Sequence, residues 1–337
     1  MFHSLPATLR KWGIFLSDYI RKPLIRRSLY GVVAALSTIF IGRAISANWD
    51  TLTQRIWRLN WHFIALSVLL YPIGMLPTAV AWHTLLQSLD VTLPFSYNLR
   101  VYALSILPRH IPGGIWYVSS RTMLYQDVDI SGTRIFVSTG LESILLSVTG
   151  AITSLVWFSL SPTLDSHFLP LQVAALVAGA GIVVFMLWTS KINHLLYRIQ
   201  HRWHITQPLQ IHRKKFIITL LWMFAAWTGG GIILFVLNTA FSPPDWKLLP
   251  SMIGIWGGAG AISLSLGALI QGMGLREITL SALLSTTMPL LDATIIAIAF
   301  RLVLTTGEAL WIPIFVWATR SLKKTEDIKK HQESASK

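Results

Sequence analysis

Long runs with few or no charges constrain this chain more than any other feature. They cover 28–47, 62–87, 136–160, 168–190, 216–241, 248–270 and 293–319, with a shorter run at 278–291. A helix needs about 20 apolar residues to cross the ~30 Å hydrocarbon core of a bilayer. With 53% hydrophobic and 12% charged residues, the chain has too much apolar surface for one soluble core. The sequence therefore predicts an all-α, polytopic integral membrane protein.

The basic residues lie outside these runs and predict the topology. They concentrate in a basic amphipathic segment at 1–27, in the loop 191–215 and in a polar tail at 321–337. Cytoplasmic loops of membrane proteins are enriched in Lys and Arg, so we expect all three segments, and both termini, in the cytoplasm at the cell membrane. The tail is expected to be disordered. The net charge of +14 follows from this topology, and no nucleic-acid partner is expected.

Counting crossings then indicates two segments that enter and leave the membrane on one side. With three cytoplasmic segments fixed, the segment 95–125 must return to the side from which it starts. The segment 248–291 is either two short crossings or a hairpin, and we favour the hairpin. The predicted membrane domain, 28–320, thus has six full spans and two re-entrant half-helix pairs. Interrupted segments at corresponding places in two halves are typical of inverted-repeat transporters.

Both predicted hairpins are interrupted by residues that break helices. The first break contributes Arg109, His110, Pro112, Gly113, Gly114 and Trp116, and the second contributes Gln271, Gly272 and Gly274. Helical backbone can break inside a membrane only where its amide groups face protein or a watery cavity. The helix that starts at Ile115 would present free N–H groups to an anion, as would the helix that starts near Arg276. The breaks therefore predict a binding cavity.

Six charged residues fall at the breaks or inside the spans, namely Arg109, Arg121, Glu142, Arg276, Glu277 and Arg301. A charge that faces lipid at the bilayer centre costs roughly 3 kcal/mol or more, so we expect these side chains to face inward. Four positive against two negative groups leave a surplus of about two positive charges. This surplus favours a phosphate-bearing ligand.

Purely structural roles remain open for the polar residues in and near the first break. Arg109 and Arg121 also fit a snorkelling position at the cytoplasmic interface. Glu142 fits an internal partner for one of these arginines. His110 fits a packing or capping residue better than a proton shuttle.

Purely structural roles are open as well for the charged residues after the second break and in the last span. Arg276 and Glu277 could pair with each other and do no more than close the second hairpin. Arg301 could form a buried salt bridge, with Asp292 nine positions before it and Glu308 seven after it.

Two motifs resemble signatures of a known family. RHIPGGIWYVSSR and IQGMGLRE, with Arg301 in the last span, are similar to the flippase-like membrane proteins related to the transmembrane domain of lysylphosphatidylglycerol synthases. The resemblance extends from Ser28 to about Arg320. Ile270 and Gln271 depart from it, because Pro and Gly are usual there. The resemblance implies a protein that binds or translocates lipid.

These observations together lead us to expect a lipid-binding transporter that flips an anionic phospholipid or a lipid-phosphate-linked headgroup. The partner would be a membrane lipid with an anionic headgroup, and a homo-oligomer or a partner synthase or transferase stays open. Synthases of the resembled group carry a large soluble domain after the membrane part, whereas a mostly polar segment of 17 residues follows Arg320 here. We therefore expect neither aminoacyl-lipid synthesis nor a cofactor.

The alternatives are a membrane-embedded glycosyltransferase and an accessory or scaffold subunit of a lipid or cell-envelope pathway. Asp127 and Asp129 form a D-x-D triplet of the kind that holds a metal and a nucleotide sugar. Such a triplet is common by chance, and no further catalytic constellation accompanies it. The absence of cysteine excludes thiolate metal sites and a Cys nucleophile.

Overall fold

The fold was analysed in a computed structural model of the 337-residue chain. The structure describes residues 59–106, 115–126, 128, 130–161, 193–194, 197–198, 211–270 and 274–335. Of residues 115–116, 266–270 and 320–335 it describes the backbone alone.

The described residues form helices and no strands, as the sequence predicts. We number the helices α1 to α9 in chain order. They are α1 (Trp61–Leu69), α2 (Tyr71–Ser88), α3 (Phe95–Ile106), α4 (Ile115–Gln126), α5 (Gly132–Ser159), α6 (Arg213–Asn238), α7 (Leu249–Ile270), α8 (Leu275–Leu284) and α9 (Leu290–Ala335). A short 3-10 helix, Trp246–Leu248, precedes α7.

Within the described part of the chain, five helical segments are long and apolar enough to cross a membrane. They are Trp61–Ser88, Gly132–Ser159, Arg213–Asn238, Trp246–Ser265 and Leu290–Thr319. Four of them agree with predicted full spans. The other two predicted spans, 28–47 and 168–190, lie outside the described residues.

Helices α3 and α4 are too short to cross a bilayer. Each has 12 residues and so extends about 18 Å. They lie on either side of the first predicted break, whose residues 107–114 fall outside the described part of the chain. The start of α4 at Ile115 agrees with the prediction.

The second predicted hairpin differs from its expected form. Helix α7 has 22 residues, about 33 Å, which is the length of a full span rather than a half-helix. Helix α8 has 10 residues and runs back along α7, with Ser263 Oγ 3.2 Å from Thr279 Oγ1. The two helices of this segment are therefore unequal, since α7 is about twice as long as α8.

Glycines allow the long helices to pack closely. A Cβ atom on Gly257 would lie 2.7 Å from the carbonyl oxygen of Gly150, so α5 and α7 meet backbone to backbone. Gly74 and Gly230 make a similar approach between α2 and α6, where an added Cβ would lie 3.6 Å from the facing backbone. Small residues drive helix association in lipid, where apolar burial gives little preference for protein over bilayer.

Helices α5 and α6 run in one direction and α2 and α7 in the other, so the bundle has two ends. At the end we call the Asp90 end, His212 N donates to Ser88 O (2.9 Å), and the Arg134 guanidinium donates to the carbonyl of Leu89. At the opposite end, the Ser161 end, Ser161 Oγ lies 2.6 Å from Ser251 Oγ.

The prediction of a disordered tail is wrong, because the backbone of α9 continues as a helix to Ala335. The tail extends a helix that is already formed, so it bears no nucleation cost. In the sequence, Glu326 and Lys330 stand four positions apart, a spacing that favours a helix.

Candidate functional site

The first cluster is a buried ion pair between α4 and α5. Arg121 on α4 donates through Nη1 to Oε2 of Glu142, and the side chains are 0% and 2% exposed. Arg121 Nε also donates to Ser105 Oγ near the end of α3, at 3.0 Å. The Tyr117 hydroxyl donates to the same Glu142 oxygen at 3.3 Å. A buried guanidinium is tolerated here because a carboxylate balances its charge and the Nε and Nη1 atoms both have hydrogen-bond partners.

Three aromatic rings surround this guanidinium and form what we call the aromatic cage. The Cζ atom of Arg121 lies 4.0 Å from the ring centre of Trp82, 4.4 Å from that of Tyr117 and 4.7 Å from that of Tyr102. The rings come from α2, α3 and α4, so the cage joins three helices. Cations are attracted to aromatic faces at such distances, most strongly when both are desolvated.

A chain of hydrogen bonds supports the cage from the Asp90 end. Trp82 Nε1 donates to the hydroxyl of Tyr125, which donates to Asn98 Oδ1, both at 2.7 Å. Asn98 Nδ2 lies 2.7 Å from His83 Nδ1, and His83 Nε2 lies 2.9 Å from Gln87 Nε2. The exposed end of the chain is Lys215, which donates to Gln87 Oε1 at 2.8 Å. Trp82, Tyr125 and Asn98 are fully buried, so these bonds fix the ring beneath Arg121.

The second cluster lies where α8 meets α9. Arg301 Nη1 is 3.5 Å from Glu277 Oε1, and the two side chains are 40% and 16% exposed. The guanidinium of Arg276 stacks 4.1 Å from the ring centre of Trp256, which is buried against Phe300. These charges are more accessible than those of the first cluster.

Gly274 begins α8 in a conformation that favours glycine. Its φ of 79° lies in the left-handed region, and its carbonyl accepts from Ile278 N at 2.8 Å. Side chains with a Cβ atom adopt this region at a cost of about 1 kcal/mol or more. The predicted role of Gly274 in relaxing the backbone at the second break is thus confirmed.

The register of α5 against α7 relates the depths of the two clusters. Ser161 pairs with Ser251 and Ser147 pairs with Ser265, each at 2.6 Å between hydroxyl oxygens. Both helices advance 14 residues between these contacts, so the same register places Ile270 level with Glu142. The second break thus begins at the depth of the first cluster. Eight residues separate Glu142 from Arg134, which puts this level about 12 Å from the Asp90 end.

Several predictions for individual residues can be compared with these contacts. The internal partnership of Glu142 with an arginine is confirmed, and the snorkelling position for Arg121 is wrong, because α5 and the cage enclose it. Glu277 is found beside Arg301, with 3.5 Å between Oε1 and Nη1. Arg301 thus lies in salt-bridge distance of Glu277 on α8, a carboxylate that the prediction for Arg301, which named Asp292 and Glu308, did not include.

Other predicted residues lie outside the described part of the chain. They are Arg109, His110, Pro112, Gly113, Gly114, Gln271 and Gly272, together with Asp127 and Asp129 of the D-x-D triplet. For Trp116 the structure places the backbone at the start of α4.

Sequence reasoning missed parts of the first cluster and two buried charges. The cage residues Trp82 and Tyr102 gave no signal, since aromatic residues are frequent throughout this chain, although Tyr117 lies one helical turn before Arg121. Glu308 and Arg134 are each 7% exposed inside candidate spans and were both omitted from the charge count. They cancel, so the surplus stays at two positive charges.

The described His, Asp and Glu side chains form no group of three that could hold a metal ion. The polar groups of the two clusters are arginines, carboxylates and hydroxyls. Chemically, they can donate hydrogen bonds to oxygen atoms of a ligand and balance part of its charge.

The fold and these clusters define a polytopic α-helical membrane protein with paired arginines and glutamates between its helices. The chain belongs to the family of the lysylphosphatidylglycerol synthase transmembrane region, whose sequence model matches residues 28–310. This confirms the family indicated by the two break motifs. It is a family of membrane proteins implicated in lipid modification and flipping. No curated protein and no solved structure matches the chain.

Proposed function

We propose that this protein binds an anionic phospholipid, or a lipid-phosphate-linked headgroup, and translocates it across the membrane. The observation that carries the proposal is the second cluster, in which Arg301 is 40% exposed and 3.5 Å from Glu277, and Arg276 precedes Glu277 in the first turn of the helix that Gly274 begins. Arginine binds phosphate through planar, charge-assisted hydrogen bonds, and its partly exposed position leaves room for such a ligand. Arg109, in the first predicted break, is proposed to bind the phosphate together with Arg276 and Arg301.

The course of α7, α8 and α9 supports a break at membrane depth. Helix α7 starts at the Ser161 end, α8 returns beside it, and α9 packs against α8 with Ser281 Oγ 2.8 Å from Thr294 Oγ1. A hairpin that enters from the Ser161 end accounts for these contacts. The first hairpin would enter from the Asp90 end, as an inverted-repeat transporter requires.

The depth relation supports a cavity shared by both breaks. Ile270, just before the second break, is level with Glu142 of the first cluster. Glu277 lies two residues from Thr279, which contacts Ser263, so it is within about 8 Å of that level along the helix axis. A lipid headgroup at this depth could thus contact backbone N–H groups from both breaks.

The proposal is tested by lipid binding and scrambling with the protein in vesicles. We expect tighter binding and faster scrambling of labelled phosphatidic acid than of labelled diacylglycerol. Arg301→Gln should reduce the phosphatidic acid signal at least about tenfold, since it removes a charge-assisted contact. Arg213→Gln is the matched control, because Arg213 is an exposed arginine at the Asp90 end and outside both clusters. Equal affinity for diacylglycerol would contradict the proposal and favour an accessory or scaffold role.

The basic Asp90 end is proposed to face the cytoplasm, with the protein in the cell membrane. Single cysteines at the exposed positions Lys214 and Lys247 report this topology, because the chain has no other cysteine. In sealed cells an impermeant thiol reagent should label the cysteine at 247 and spare that at 214. Labelling of both, or of 214 alone, would reject the proposed orientation.

A further inference from the structure

The hydrogen-bond chain behind the cage has a donor at each of its two ends. At the buried end Trp82 Nε1 donates to the Tyr125 hydroxyl, and at the exposed end Lys215 Nζ donates to Gln87 Oε1. An indole N–H and an ammonium group can donate hydrogen bonds but cannot accept them. Donation therefore runs inward from both ends, and one group between them has to accept from both sides.

The two directions of donation meet at His83. The Tyr125 hydroxyl donates to Asn98 Oδ1, which leaves the amide nitrogen of Asn98 2.7 Å from His83 Nδ1. Gln87 also presents its amide nitrogen, 2.9 Å from His83 Nε2. A neutral imidazole has one N–H group and one acceptor nitrogen, so it can accept from only one of these amides. The Phe95 ring packs edge-on against the imidazole, with 5.4 Å between ring centres, and supports this orientation of the ring.

One arrangement that removes the conflict keeps the contact between Lys215 and Gln87. His83 then carries its proton on Nδ1 and accepts from Gln87 at Nε2. The Asn98 amide is turned over, so its oxygen accepts from His83 and its nitrogen donates to Tyr125. The Tyr125 hydroxyl now accepts twice, and its own hydrogen loses its acceptor in a buried position.

The other arrangement turns over the Gln87 amide instead. His83 carries its proton on Nε2 and donates to Gln87 Oε1, while Asn98 donates to Nδ1. Every hydrogen bond from His83 to the buried end is then satisfied, and the exposed Lys215 turns to water. The first arrangement leaves a buried hydroxyl unpaired and the second gives up a charge-assisted hydrogen bond. These two costs are of similar size, so the contact of Lys215 decides between the arrangements.

We propose that His83 is a tautomeric switch that connects Lys215 at the Asp90 end to Tyr125 beneath the aromatic cage. While Lys215 donates to Gln87, the proton of His83 is on Nδ1. When Lys215 leaves, the proton is on Nε2 and the Tyr125 hydroxyl donates to Asn98. An anionic group that pairs with Lys215 at the membrane surface would thus change the hydrogen bonding beneath the cage. The switch does not depend on which ligand the two clusters bind.

The two tautomers are distinguished by ¹⁵N NMR of the full-length protein with labelled histidine in detergent micelles, because protonated and unprotonated ring nitrogens resonate apart. Spectra are recorded at about pH 8.5, where imidazole is neutral and an ammonium group stays charged. The signals of His83 are assigned by their loss in His83→Gln. Lys215→Met removes the donor at the exposed end, and the ratio of the Nε2–H to the Nδ1–H tautomer should rise at least about threefold. Lys214→Met is the matched control, since Lys214 is an exposed neighbour outside the chain of hydrogen bonds, and it should leave the ratio unchanged.

Tyr125→Phe tests the buried end and should shift the ratio the other way. Without the hydroxyl, the Asn98 amide lacks one partner in either orientation, so the donation from Lys215 decides and the Nδ1–H tautomer should gain at least about threefold. Opposite shifts from opposite ends of the chain are not expected of side chains that only pack. An unchanged ratio in Lys215→Met, or shifts in the same direction in both variants, would overturn the switch. If Tyr125→Phe fails to fold, Lys215→Met at its exposed position still decides the question.

Discussion

The two arginine–glutamate pairs of this protein differ in enclosure although each lies beside a break. Arg121 and Glu142 are 0% and 2% exposed and are held by an aromatic cage and a hydroxyl group. Arg301 and Glu277 are 40% and 16% exposed and lie 3.5 Å apart. A desolvated pair stabilises the structure only as an intact unit, whereas an accessible pair contributes little to stability and can exchange partners. The first pair is therefore suited to holding helices together, and the second to meeting a charged ligand.

The largest effect should come from breaking the enclosed pair. Glu142→Ala leaves the Arg121 charge buried without a counter-ion, which we expect to cost about 3–5 kcal/mol of unfolding free energy. Glu277→Ala is the matched variant at the accessible pair and should cost less than about 1 kcal/mol. Thermal unfolding of both variants in the same detergent gives the comparison. Similar losses would show that enclosure does not distinguish the pairs.

The relative depth of the pairs depends on the α5–α7 contact, and a smaller effect is expected there. A Cβ on Gly257 would lie 2.7 Å from Gly150 O, so Gly257→Ala should force the helices apart and cost about 2 kcal/mol. Gly140 on α5 is the control, since an added Cβ meets nothing within 4 Å. Gly140→Ala should leave stability unchanged or raise it slightly, because alanine favours helix. If Gly140→Ala unfolds at a lower temperature than Gly257→Ala, the close packing of α5 against α7 is contradicted.

The sequence predicted much of the helical framework because membrane solvation acts locally. Twenty apolar residues in succession indicate a span whatever their tertiary partners, so the spans beginning near Trp61, Gly132 and Arg213 were found. The end of α3 at Ile106 and of α7 at Ile270, and the starts of α4 and α8 after them, follow equally local signals, since proline and glycine act on their own backbone.

The composition of the clusters could not be predicted in the same way. Arg121 and Glu142 are 21 positions apart, and their pairing depends on how α4 packs against α5. Trp82 is still farther along the chain, and no periodicity marks it as a partner for a cation. Pairing across helices is a tertiary property, and a single sequence carries no direct record of it.

The hydrogen-bond chain behind the cage is the next point at which the enclosed pair can be tested. Tyr125→Phe removes the hydroxyl between Trp82 and Asn98 and leaves both buried polar groups without that partner, at a cost of about 1.5 kcal/mol. The exposed Tyr197 supplies the control, and Tyr197→Phe should change the unfolding temperature very little. Phosphate-lipid binding at the Arg301 cluster should survive Tyr125→Phe. A loss of that binding at normal stability would mean that the two clusters are coupled.

The smallest effect on stability, and the sharpest on the accessible cluster, is expected at Gly274. Its φ of 79° makes Gly274→Ala cost about 1 kcal/mol, while Gly274→Asn should cost less, because asparagine tolerates the left-handed region. If Gly274 serves backbone conformation alone, lipid binding should follow stability, so the Asn variant should bind better than the Ala variant. If the headgroup approaches the backbone at the start of α8, the larger asparagine side chain should block it as well, and both variants should lose phosphatidic acid binding. Unfolding temperature and lipid affinity are measured on the same preparations, and normal affinity in both variants would place the ligand away from this break.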